Sequence, residues 1–237
     1  MSGLSAAPAA GRSPEGTPGM SGNQPATIDY RFELIRKSIH LCSLSIPIIY
    51  YLVPKNQALW MLAPVTAAFL IIDITRHYLT PVSRWFYSWF GWLLRRHEQD
   101  GVRKRLNGAT YVLVSAMICV LAFPKVITVT AFAVLIISDT TSALIGRKFG
   151  KRPFFKKSLE GSVAFFVSAV LVVLVSPKIH YEGMEYFIGI LGAGVGAIVE
   201  SISGKIDDNL TIPISIGLVM WGCYALFLPG VNVYSLG

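Results

Sequence analysis

Six carboxylates of this chain, Asp73, Asp139, Glu160, Glu200, Asp207 and Asp208, lie within or at the ends of long apolar stretches. On insertion scales a charged side chain at the middle of a bilayer costs at least about 2.5 kcal/mol, so acids kept in such places point to a function. The loop at 146–158 reads GRKFGKRPFFKKS, carries six Lys or Arg, and has Asp139 before it and Glu160 after it. Lys and Arg neutralise phosphate oxygens and hard oxygen ligands hold Mg²⁺, so a basic loop flanked by carboxylates suits a phosphate chain with its divalent metal. It is not a Walker A loop, because it lacks both the G-x-x-x-x-G-K-[ST] spacing and a preceding soluble strand. A second group, Asp207, Asp208, Asn209 and Thr211 in KIDDNLTIP, places oxygen-bearing side chains together. Such a turn serves as a helix cap or as a second metal or phosphate site. Glu33, Arg36, Lys37 and His40 repeat at helical spacing and share one face.

The elements that must position these residues are helices in a bilayer. About seven apolar stretches, at 35–53, 57–75, 108–123, 126–146, 160–176, 184–204 and 211–229, approach the roughly 17 to 25 residues that cross a membrane. The third is short, with Arg105 and Lys125 placed to snorkel at its ends. Between the second and third, residues 81–94 gather Trp85, Phe86, Tyr87, Trp89, Phe90 and Trp92 before Arg95 and Arg96, the pattern of a helix lying in the interface. The first 27 residues are Pro, Gly, Ser and Ala with few large apolar side chains; they read as a disordered tail and not as a signal peptide. Residues 28–237 then form one transmembrane domain. The expected fold is all-α: a polytopic helical bundle with an added interfacial helix.

Composition supports that reading. Hydrophobic residues make up 53% of the 237 and charged residues 14%, against about 25% charged in soluble domains. This excludes an ordinary cytosolic enzyme, a disulfide-stapled secreted module and a disordered chain. Cys42, Cys119 and Cys223 are an odd count without metal-ligand spacing, all lie in apolar runs, and read as buried free thiols. The net charge of +8 is unevenly placed: eighteen of the 21 Lys and Arg fall on one side of the predicted spans, leaving Lys55, Lys125 and Lys178 on the other. The positive-inside rule then sets the N-terminus inside and the C-terminus outside. Every acid named above falls on the basic, cytoplasmic side; Glu182 and Glu185 face the other way. On the sixth span Gly189, Gly192, Gly196 and Glu200 share a side, turning Glu200 into the bundle, and on the fourth Ser138, Asp139, Ser142 and Gly146 form a small, polar edge.

Five stretches, ELIRKSIH at 33–40, LNGATY at 106–111, SDTTSALIGRKFG at 138–150, KSLEGS at 157–162 and DDNLTIP at 207–213, resemble the CTP-dependent lipid kinases, the family of dolichol kinase, phytol kinase and CTP-using diacylglycerol kinase. The resemblance spans nearly everything after the tail, and extends distantly to phosphatidate cytidylyltransferase. It implies transfer of the γ-phosphoryl group of CTP to a lipid alcohol, with motif residues including Arg36, Lys37, Lys148 and Ser158 forming the nucleotide site. On this reading Arg147, Lys151 and Lys157 clamp the phosphates, and Asn209 orients a phosphate or the base. Asp139, Glu160, Asp207 and Asp208 hold Mg²⁺. The base that takes the lipid hydroxyl proton is Asp139, with His40 and Asp73 as alternatives. Phosphoryl transfer depends chiefly on positioning and charge stabilisation, and a soluble nucleotide meets a lipid headgroup at the cytoplasmic mouth of such a bundle. The expected partners are therefore CTP, a membrane lipid alcohol and the bilayer, with no nucleic acid. The rival enzyme is a cytidylyltransferase, which would release pyrophosphate instead of CDP. A small-solute transporter is the further alternative, but would place polar groups at mid-bilayer and often repeat internally.

Overall fold

The structure is a computed structural model of the full chain, and residues 30–91, 106–204 and 206–235 are described. The expected tail, Arg95 and Arg96 after the aromatic segment, and the basic cluster at 103–105 lie outside them. The described chain is almost wholly helical: α1 (Tyr30–Cys42), α2 (Ser45–Leu52), α3 (Lys55–Thr75), α4 (Thr80–Phe90), α5 (Gly108–Ala122), α6 (Lys125–Phe149), α7 (Leu159–Val175), α8 (Gly183–Ile202) and α9 (Asp208–Phe227). A two-stranded hairpin, β1 (Pro153–Phe154) and β2 (Lys157–Ser158), stands between α6 and α7.

Four helices, α3, α6, α8 and α9, are long and apolar enough to cross a membrane; α5 and α7 are apolar and shorter. The first predicted span is not one helix. Pro47 has no N–H to give Ser43, and its ring would press on that carbonyl in a continuous helix. Ser43 accepts from Ile46 instead, and the chain turns at 43–44 before α2 begins.

The helix α6 is the axis of the molecule. Its apolar window is 78% buried against 17% for α3, and it packs against α1, α2, α5, α7, α8 and α9. Phe132, Leu135, Ile136, Phe165, Ile188, Ile212, Ile216 and Met220 fill the core around it. The outer faces are apolar as well, with Trp60, Ile71, Leu171, Ile198 and Leu218 exposed, which in water would be a liability and in lipid is the expected surface. Of the cysteines expected to be buried, Cys119 is, Cys223 is half-buried and Cys42 is exposed at the end of α1.

Small residues set the closest helix contacts. A side chain on Gly161 of α7 would meet the Ser142 carbonyl at 3.2 Å and the Gly146 backbone of α6 at 3.3 Å. In α8, Gly192 and Gly196 make room for Met220 and Ile216 of α9, as the glycine face of that span predicts. The aromatic segment forms α4 as far as Phe90, with Trp92 outside the described residues; Phe86 is buried beneath the Arg76 guanidinium at 4.6 Å while Trp85 and Trp89 face outward.

Candidate functional site

Contacts between Asp73 and Asn107, Lys37 and Asp139, Gly146 and Gly161, Lys157 and both Glu200 and Asp208, and Asn209 and Gly108 bring the motif-bearing parts of α1, α3, α5, α6, α7, α8 and α9 together at one end of the bundle. Among the described residues, two ion-pair centres there join different elements. In the first, Lys37 of α1 donates from Nζ to Asp139 Oδ2 of α6, and His40 Nε2 stands 3.8 Å from the same oxygen. Lys37 and Asp139 are both buried. The spacing of Lys37 and His40, one helical turn apart, is what lets both reach one carboxylate.

In the second centre, Lys157 of β2 reaches into the bundle. Its Nζ lies 2.8 Å from Glu200 Oε1 of α8 and 3.1 Å from Asp208 Oδ2 of α9. Ser142 of α6 also donates to Glu200 Oε1, at 2.8 Å. Ser142 follows Asp139 by one turn, so α6 carries one partner of each centre. Burial lowers the affinity of Lys157 for its proton, but Asp208, Asp139 and Glu200 together outweigh it and hold the ammonium above its usual range. Among the described residues, buried side-chain atoms without hydrogen-bond partners include His40 Nε2, Thr110 Oγ1, Ser138 Oγ, Ser162 Oγ and Glu200 Oε2. These belong to five different helices, each near the motif-bearing end.

Local chemistry explains how the hairpin is aimed. The strands pair Pro153 with Ser158 and Phe154 with Lys157. The backbone N–H of Lys156 donates to the Ser201 carbonyl of α8 at 3.1 Å, tying the tip to the helix that carries Glu200. Gly150 is required at the base, since a Cβ there would fall 2.2 Å from the Gly146 carbonyl and 2.7 Å from Ser158 Oγ.

The remaining predicted residues divide by what they already hold. Ser158 Oγ accepts from Gly161 N at 3.2 Å and caps α7. Glu160 accepts the backbone N–H groups of Lys151 and Arg152 at 3.1 and 3.3 Å and closes the loop. Asp207 Oδ1 accepts from Asn209 N at 3.0 Å and Asn209 Nδ2 at 2.7 Å, capping α9. Asn209 Nδ2 borders Gly108, which brings the motif at 106–111 against the motif at 207–213. Asp73 is fully buried, pairs with Arg76 through Oδ1 and accepts Asn107 N at 2.6 Å through Oδ2, so both its oxygens are engaged in joining α3 to the start of α5. Arg147, Lys148 and Lys151 are exposed around the rim, and Arg36 is half-buried. The side chain of Glu33 lies outside the described residues.

The four acids expected to hold metal do not converge. Among the described residues no group of three or more His, Cys, Asp or Glu is gathered in a metal-binding arrangement. What converges instead is Asp139, Glu200 and Asp208 around Lys37 and Lys157. Glu200 was not among the predicted ligands, although its place on the glycine face of α8 pointed it inward. Glu200 and Asp208 meet on Lys157 Nζ and Glu200 Oε2 is a buried acceptor without a donor; two such hard oxygen donors are what Mg²⁺ takes from a protein when phosphate oxygens supply the rest.

No protein-family model and no solved structure matches the chain. An uncharacterised protein of Rickettsia prowazekii is 31% identical over 193 residues, covering 80% of this chain and 93% of that protein. The chain belongs to the family of that protein. Two further relatives are both described as CTP-dependent diacylglycerol kinase 1. That of Schizosaccharomyces pombe is 28% identical over 156 residues, 60% of this chain and 70% of its own length. That of Saccharomyces cerevisiae is 26% identical over 215 residues, 80% of this chain and 73% of its own. Distant similarity to these enzymes supports a lipid kinase in general.

Proposed function

We propose that this protein is a CTP-dependent kinase that transfers the γ-phosphoryl group to a membrane lipid alcohol of the diacylglycerol, polyprenol or phytol class. The observation that carries the reading is the pairing of the two lysine–carboxylate centres on one turn of α6, at the end of the bundle where the basic hairpin lies. Residues 28–237 act as one membrane domain. Its seven crossings are α1 with α2, then α3, α5, α6, α7, α8 and α9, with the N-terminus and the site on the cytoplasmic side and α4 in the interface.

In this mechanism Lys157 and Lys37 hold the triphosphate by exchanging their carboxylate partners for phosphate oxygens, and Arg36, Arg147, Lys148 and Lys151 draw it in from the rim. Asn209, fixed by Asp207, orients a phosphate or the base. Asp139, Glu200 and Asp208 are the oxygen donors that would hold Mg²⁺, which when bound neutralises charge building on the phosphoryl oxygens. Asp139 orients the lipid hydroxyl and takes its proton, with His40 beside it to receive that proton. Asp73, with both oxygens engaged, positions α5. The buried setting keeps water from competing for the phosphoryl group.

The test is direct. The full chain, purified in detergent, is supplied with γ-labelled CTP, Mg²⁺ and diacylglycerol, dolichol or phytol in turn. Label should pass to at least one alcohol, with CDP as co-product. Release of pyrophosphate with CMP transferred to phosphatidate would replace the kinase by a cytidylyltransferase, and folded protein that labels no alcohol would remove the kinase reading.

A further inference from the structure

Lys157 joins two carboxylates from different helices, and the joint has the character of a cation site. Its Nζ sits between Glu200 Oε1, at 2.8 Å, and Asp208 Oδ2, at 3.1 Å. Glu200 is 1% exposed, and while Oε1 also accepts from Ser142, Oε2 is buried with no hydrogen-bond partner. Leaving a buried acceptor unpaired costs the full desolvation of that oxygen, and native proteins rarely keep one without a use for it. The lysine itself is loosely seated: its side chain is 31% exposed, against 1% for Glu200. A flexible four-carbon stem on a surface hairpin can withdraw without disturbing the core.

We propose that the Lys157 ammonium is a placeholder, occupying between Glu200 and Asp208 the position of the divalent cation that accompanies a nucleoside triphosphate, and moving onto the phosphates when the nucleotide arrives. The inference rests on the nucleotide-site reading above and narrows the protein's share of that cation's ligands to Glu200 and Asp208. Charge balance supports the exchange. The carboxylates of Asp139, Glu200 and Asp208 are opposed by Lys37 and Lys157, so removing the Lys157 charge alone leaves the buried Glu200 and the half-buried Asp208 uncompensated, a destabilising state. A divalent cation arriving together with the phosphates restores that compensation and gives the ammonium a new partner. Two protein carboxylates completed by phosphate oxygens is also the usual protein share of a Mg²⁺ site, which accounts for the lack of a three-residue cluster among the described residues.

The experiment uses Mn²⁺ as the probe, with free Mn²⁺ read by electron paramagnetic resonance against the detergent-purified full chain, without nucleotide or lipid. Lys157→Met, which keeps the stem and loses the charge, should bind one Mn²⁺ per chain at least about tenfold more tightly than the wild type. Adding Glu200→Gln to it should weaken that binding by about 10- to 100-fold, the scale of losing a partner in a metal site. Where the Met variant does not fold, Lys157→Gln, which retains a donor toward Glu200, takes its place. Binding no tighter than wild type in the variant that folds, or binding that survives Glu200→Gln, overturns the proposal. Because neither CTP nor lipid is present, the titration succeeds or fails independently of the lipid-phosphate assay, so the two readings fail separately.

Discussion

Asp139 is the residue on which most of the site converges, since Lys37 and His40 both reach its Oδ2 and its charge also acts on Lys157. Replacing it by Asn keeps the shape and a hydrogen-bond acceptor for Lys37 but removes the charge. Asp139→Asn should lower turnover by about 10²- to 10⁴-fold, the usual range for losing a positioned acid or base. Expression and the elution volume on gel filtration should stay unchanged. Wild-type turnover in the labelled-lipid assay would take Asp139 out of the mechanism. That Asp139 would need a partner was legible in the sequence because charge in an apolar stretch is costly wherever the chain folds, whereas Lys157 stood out only as part of the basic loop at 146–158 and Asp208 as part of the acidic turn at 207–209. Ser158, Glu160 and Asp207 were harder to read. An oxygen near a helix start serves equally as a cap, a loop clamp or a ligand, and only the fold shows that these three already accept backbone N–H groups. Glu200 was visible as an inward-facing acid, but its partner Lys157 is 43 positions away, a separation no helical periodicity connects.

At the scale of elements, the boundaries of α3, α6, α8 and α9 follow the apolar runs closely, because length and hydropathy are local properties. The break between α1 and α2 was not seen, since its cause, Pro47, sits well inside the single stretch expected at 35–53, with apolar residues on both sides. Nor could the sequence show how the hairpins lock. The turns Val53-Pro54-Lys55 and Phe123-Pro124-Lys125 lie side by side, and each lysine serves the other's helix: Lys55 Nζ donates to the Leu121 carbonyl of α5 at 3.2 Å, and Lys125 Nζ to the Val53 carbonyl ending α2 at 3.0 Å. A cation at a helix C-terminus satisfies an orphan carbonyl and complements the macrodipole. Lys125 is also buried, with its ammonium 5.6 Å from the centre of the Tyr50 ring. Lys125→Met should therefore destabilise the bundle by about 1–3 kcal/mol, leaving that carbonyl unpaired. Lys55→Met, at an exposed bond, should cost less. Thermal unfolding in detergent reads the difference, and equal midpoints for Lys125→Met and wild type would show that the reciprocal lock contributes nothing.

Across the whole molecule the basic residues have two different uses. Lys55, Lys125 and Lys178 gather at one end, and each donates to carbonyls at a helix C-terminus, Lys178 to Val173 at 2.6 Å and Ser176 at 2.8 Å. At that end Glu185 is likewise consumed by structure, accepting the N–H groups of Ile179, His180 and Tyr181 and the Tyr224 hydroxyl. At the opposite end Arg147, Lys148, Lys151 and Arg152 are exposed around the mouth of the site. The proposed orientation puts that mouth in the cytoplasm, and it can be tested with Cys42, Cys119 and Cys223 replaced by Ser. Lys151→Cys and Glu182→Cys introduce thiols at exposed positions of the two ends. A membrane-impermeant maleimide should label Lys151→Cys only from the cytoplasmic face of sealed vesicles, and Glu182→Cys only from the other. The reverse pattern would do more than invert the topology. It would turn the lysine–carboxylate centres away from the cytosol, where nucleoside triphosphates are found, and the kinase proposal would lose its donor along with its orientation.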